Sequence, residues 1–112
     1  MDSWPETKLT LDKSLVVLSN KWRRRLLLKV LKDNPRDERE FASDAANSSE
    51  TQELDALRTQ LRHVHLPLLE EEGLINWNRD DGTITRGENF EEIRPLLELM
   101  REHSDELPNG WL

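Results

Sequence analysis

The stretch from Glu50 to Ile75 constrains the fold more than any other part of the chain. Leu54, Leu57, Leu61, Val64 and Leu68 recur at alternating spacings of three and four, which is one stripe along a helix. Ser49 followed three residues later by Gln52 is a capping-box pattern, and Gly73 is placed to end the helix. The spacing therefore predicts a helix over about 50–72. Pro67 lies inside it, removes one backbone donor and crowds the preceding turn, so a bend is expected near His63. There is no room for a linker after Gly73. Leu74-Ile75-Asn76-Trp77-Asn78 reads as a strand, Asp81-Gly82 as a tight turn and Thr83-Ile84-Thr85-Arg86 as the return strand. A long helix that feeds directly into a hairpin must pack the hairpin beside its own C-terminal end.

The remainder supplies the partners for that unit. Leu11, Leu15 and Leu18 mark a first short helix, and Ser19 or Asn20 can cap the next. From about Lys21 to Lys32, Trp22, Leu26, Leu27, Val30 and Leu31 share one face, while Lys21, Arg25, Lys29 and Lys32 fall on the other. Asp33-Asn34-Pro35 stops this helix. Glu38 to Ala46 form a third, with Phe41, Ala42, Ala45 and Ala46 inward, and Asn47-Ser48-Ser49 turns into the long helix. Phe90, Ile93, Leu97 and Met100 mark a last helix from about Asn89 to His103, where Pro95 is expected to delay its regular start. Residues 1–10 read as a polar lead-in, 11–105 as one domain and 106–112 as a tail.

Composition excludes several classes of function. The chain has 112 residues and no cysteine, so disulfides, thiol catalysis and cysteine metal sites are ruled out. No apolar run is long enough to span a membrane, and the N-terminus has no signal-peptide pattern, so the expected location is the cytoplasm. The four glycines stand at 73, 82, 87 and 110, too scattered for a phosphate loop, and no Ser/His/Asp set has a recognisable context. Glu70-Glu71-Glu72 reads as a solvated helix end, and no enzyme activity is expected. His63 and His65 are two residues apart and on a helix face nearly opposite ways, so they cannot share a metal. His65 reads as a packed, hydrogen-bonded histidine, and neither metal nor cofactor is expected.

The formal net charge is −7, but it is unevenly distributed. Residues 20–65 carry ten basic and eight acidic side chains, whereas residues 66–112 carry four and twelve. The central segment is the part suited to a polyanion. Eleven arginines against five lysines in an acidic chain also matches what a salt-rich cytoplasm selects.

The order helix, helix, helix, turn, helix, hairpin, helix is that of a winged helix-turn-helix, a mainly α fold with a small β-hairpin. In that fold the helix at about 50–72 enters the major groove and the wing at 74–86 lies on its flank. Opposite the leucine stripe are Thr59, Gln60, Arg62 and His63, with Arg58 at the margin. These are the candidate readers of base edges, and the alternative is an ordinary polar face with Arg58 or Arg62 pairing with Asp55 or Gln60. Lys21, Arg25, Lys29 and Arg79 are candidate phosphate contacts. Phe90, Ile93, Leu96, Leu97 and Met100, and the first helix beside them, are candidates for a homodimer seam.

Two segments carry a resemblance. Leu18-Ser19-Asn20-Lys21-Trp22-Arg23-Arg24-Arg25-Leu26-Leu27-Leu28 resembles the opening of a haloarchaeal winged-helix family. Leu61-Arg62-His63-Val64-His65-Leu66-Pro67-Leu68-Leu69-Glu70-Glu71-Glu72-Gly73-Leu74-Ile75 resembles its helix-to-wing segment, and is similar more widely to arsenic-repressor-like and multidrug-resistance-repressor-like regulators. The resemblance implies a dimeric, halophilic, archaeal DNA-binding transcriptional regulator. Fold does not dictate function, and the alternative is a winged-helix adaptor that binds protein through Trp111-Leu112 or the acidic C-terminal half.

Overall fold

The computed structural model describes residues 9–47 and 54–112, with the side chains of 46 and 47 excepted. The expected capping box at Ser49–Gln52 and most of the N-terminal lead-in lie outside these residues. The elements are α1 (Leu11–Val17), α2 (Lys21–Lys32), β1 (Arg36–Asp37), α3 (Glu38–Asn47) and α4 (Leu54–Gln60). A π-helical turn (Leu61–His65) joins α4 to α5 (Leu66–Glu71), followed by β2 (Ile75–Trp77), β3 (Thr83–Arg86), α6 (Phe90–Glu102) and a 3-10 turn (Ser104–Glu106). The chain is thus mostly helical with one small antiparallel sheet, ordered β1-β3-β2.

Local chemistry sets most boundaries. Asn20 caps α2, its side chain accepting from the N–H groups of Trp22 and Arg23. Asp37 Oδ1 does the same for α3 through Arg39 N, 2.8 Å, and Glu40 N, 3.2 Å. At the far end of α5, Gly73 takes φ +74°, Gly73 N–H bonds to Glu70 O and Leu74 N–H to Leu69 O. This paired closure is a Schellman motif, and it delivers the chain straight into β2. Gly82, at φ +78°, closes the hairpin, and a Cβ there would sit 3.1 Å from the Glu38 side chain. Turn geometry and close approach therefore both demand glycine.

The buried residues of α2 are those the periodicity marks, together with Arg23. They meet Phe41 and Ala42 of α3, Leu57 and Leu61, Leu66 and Leu69 of α5, Ile75 and Ile84 of the sheet, and three residues of α6. β1 had no sequence signal, because Arg36-Asp37 has neither alternation nor β-branched residues. It exists because β3 offers a free edge, pairing Arg36 with Ile84 and Asp37 with Thr83.

Two expectations need correction. The leucine stripe is not continuous, since Leu57 and Leu61 are buried but Val64 is 49% exposed. From the last residue of the π turn onward the inward positions are His65, Leu66 and Leu69. In the π turn Leu66 N–H bonds to Leu61 O, five residues back, so one extra residue is accommodated and the inward face slips from 64 and 68 to 65 and 69. Pro67, with no N–H to give His63 O, sits just beyond this turn. The second correction concerns α6. Phe90, Ile93 and Leu97 are fully buried in the chain's own core, so they cannot form a dimer seam. Leu96 and Met100 are half-buried beside them, and Leu99 is exposed. Pro95 lies within α6 and does not delay it.

Candidate nucleic-acid interface

Glu38 is the hub of the face that carries the π turn and the hairpin. It opens α3 and is nevertheless buried, 4% exposed. Its backbone N–H bonds to Gly82 O in the hairpin turn. Its Oε1 accepts from Trp77 Nε1 at 2.9 Å and from Arg62 Nη1 at 3.0 Å. Arg62 also donates from Nη2 to the Arg79 carbonyl, 3.2 Å, and its guanidinium lies 5.2 Å from the Trp77 ring centre. Arg79 stacks on the same ring at 4.2 Å and pairs with Glu70 of α5 at 3.1 Å. One carboxylate and one indole thus fasten helix, hairpin and α3 together.

The candidate base readers fall into two groups. Arg58, Thr59, Arg62 and His63 line one shallow crevice of about 260 Å³ together with Asp55. Gln60 is exposed beside it. Arg62 does not point freely away from the fold, because the Glu38 and Arg79 contacts hold it. A second crevice of about 160 Å³ shares Arg58 and Arg62 and adds Glu38, Arg39, Arg79, Asp80 and Gly82. Arg39 was missed in the sequence, where it reads as one more charge in the run Arg36-Asp37-Glu38-Arg39. Its Nη2 donates to Asp81 O at 3.3 Å, which places α3 against the hairpin turn.

The candidate phosphate contacts are split. Arg79 belongs to the face just described. Lys21 and Arg25 instead flank Trp22, at 4.9 and 5.1 Å from its ring centre. Arg25 and Lys29 line a separate depression of about 430 Å³ with Trp22, Phe41 and Leu112, and it shares no residue with the two crevices. The C-terminal tail comes back over α2. Arg25 donates to Leu112 O at 3.1 Å, and Arg24 to Trp111 O at 2.7 Å. The tail backbone is therefore engaged with its own chain, while the Trp111 ring remains 56% exposed.

Arg23 and His65, the last residue of the π turn, form a buried polar pair. Arg23 Nε donates to Val17 O at 2.7 Å, Nη2 to Val16 O at 3.1 Å, and Nη1 approaches His65 Nδ1 at 3.2 Å. A guanidinium has only donors, so Nδ1 must accept and the imidazole is neutral. Burial lowers the His65 pKa from its ordinary value, and the neighbouring Arg23 charge lowers it further. The carbonyls at the end of α1 thus hold Arg23, and Arg23 holds the π turn. His65 is the packed, hydrogen-bonded histidine expected of it.

Among the described residues no helix is long and apolar enough to cross a membrane, and no three acidic or histidine side chains are grouped to hold a metal. No curated protein and no solved structure matches the chain. Residues 15–85 match the model of a family described as a domain of unknown function, DUF7344, and because that span is more than half of the 112 residues, the chain belongs to this family.

Proposed function

We propose that the chain is a winged helix-turn-helix protein that binds double-stranded DNA as a homodimer and regulates transcription. The observation that carries this reading is the convergence of Arg39, Arg58, Arg62 and Arg79, from α3, α4, the π turn and the hairpin, on one small crevice. The element order and the β1-β3-β2 sheet support it, because they set a hairpin wing against the C-terminal end of the helix that would enter the groove. The family segment supports it too, since it runs from within α1 into β3 and so includes α2, α3, the helix with the π turn and most of the hairpin.

In this reading Gln60, Thr59 and His63 are exposed toward the bases, and Arg58 stands at their margin. Arg79 and Arg39 serve the backbone, whereas Arg62 mainly positions the wing. Lys21, Arg25 and Lys29 sit apart with the tail and are assigned no phosphate. The dimer seam moves to the outer residues of α1 and α6. Leu11 and Leu15, at 66% and 53% exposed, and Leu99, at 53%, border two apolar depressions that share Leu96. Selection from a pool of random duplexes tests the reading. It should enrich an inverted repeat, as expected for a two-fold dimer, and Gln60→Ala should cost about 1–3 kcal/mol on the enriched site alone. A pool from which no motif emerges, with equal weak binding to all duplexes, refutes the regulator and favours the protein-binding adaptor.

A further inference from the structure

We propose that the crevice between α3, α4 with its π turn and the hairpin is a built site for one phosphate-sized oxyanion. Its lining is almost wholly polar and holds four guanidinium groups against the carboxylates of Glu38 and Asp80. The four cations outnumber the two carboxylates, so the crevice is positive in a chain whose formal net charge is −7. Protein contacts leave most of the donors unused. Each guanidinium carries five N–H groups. Arg62 spends one on Glu38 and one on the Arg79 carbonyl, Arg79 one on Glu70, and Arg39 one on the Asp81 carbonyl. Among the described residues Arg58 makes no ion pair.

Two of the four groups, Arg62 and Arg79, are also held in place. The Trp77 ring backs both Arg62 and Arg79, and Glu38 orients Trp77 and Arg62, so little of their side-chain freedom remains to be lost on binding. The volume, about 160 Å³, leaves room for one tetrahedral oxyanion with a few waters. The shared chemistry is a phosphate group, either from a nucleic-acid backbone or free in solution. Only the first source rests on the DNA-binding reading.

The test titrates inorganic phosphate into the full chain at constant ionic strength and follows the Trp77 indole N–H by NMR, since that proton bonds to Glu38 at the crevice wall. The expected result is a saturable shift that Arg58→Gln and Arg39→Gln each weaken by about tenfold or more. Neither side chain bonds to Glu38, so both variants should melt like the wild type. A shift that does not saturate, or that folded Arg58→Gln and Arg39→Gln leave unchanged, overturns the proposal. Random-sequence duplex is then added to the phosphate-loaded protein. Displacement of phosphate supports the proposal with the nucleic-acid backbone as source. Saturable, arginine-dependent phosphate binding that duplex does not displace supports it with free phosphate as source, and counts against the DNA reading.

Discussion

Replacing Glu38 tests how this protein holds its β2–β3 hairpin against α3. The side chain is 4% exposed and accepts the Trp77 indole N–H and an Arg62 N–H on one oxygen. Glu38→Ala leaves a buried indole donor without a partner, which costs about 1.5–3 kcal/mol when the lost acceptor was charged. The Arg62 pair adds less, because Arg62 is 38% exposed and water screens it, so about 1 kcal/mol is the upper bound. The sum is about 1.5–4 kcal/mol, a large part of the roughly 5–15 kcal/mol that holds an ordinary domain together. Glu38→Gln keeps an acceptor for the indole and should cost about 1 kcal/mol. Trp77→Phe removes the donor but keeps a ring under Arg79. A double-mutant cycle between Glu38→Ala and Trp77→Phe, measured by urea unfolding with far-UV circular dichroism, should give a coupling of about 1–2 kcal/mol. Additivity within about 0.3 kcal/mol would mean that the indole bond does not hold the hairpin, and would refute the hub.

Acid should destabilise the protein through His65. Its folded pKa lies below the ordinary 6.5, so between those two values the unfolded chain binds the extra proton, and stability present above pH 6.5 is lost as pH falls toward the folded pKa. The urea midpoint of His65→Asn, which keeps an acceptor for Arg23, should vary less with pH than that of the wild type, and parallel profiles would contradict this. Leu97→Glu should abolish folding, since it buries a carboxylate at a site that is 0% exposed. Leu99→Glu, on the exposed side of the same helix, should keep the circular dichroism spectrum and convert a dimer to a monomer in sedimentation. A wild type already monomeric at tens of micromolar would rule the seam out.

Local signals of short range made much of this molecule legible in its sequence. Asn20 caps, Gly73 stops a helix, Asp81-Gly82 turns a hairpin and the α2 stripe faces inward, because each depends on backbone geometry within a few residues. What the sequence could not decide are the effects that arise when distant segments compete for the same space. Leucine spacing alone reads Val64 and Leu68 as core, but the π turn before Pro67 rotates His65 and Leu69 inward instead. The apolar stripe of α6 resembles an unpaired surface until the rest of the chain closes over Phe90, Ile93 and Leu97. Arg23, Glu38 and Arg39 look like members of ordinary charge runs. Only the fold brings Arg23 within 3.2 Å of His65, and Glu38 within 3.0 Å of Arg62 and Trp77. Periodicity predicts which face of an element is apolar. Which polar side chain is buried, and against what, depends on partners 24 to 42 residues away in the chain, and only tertiary packing selects them.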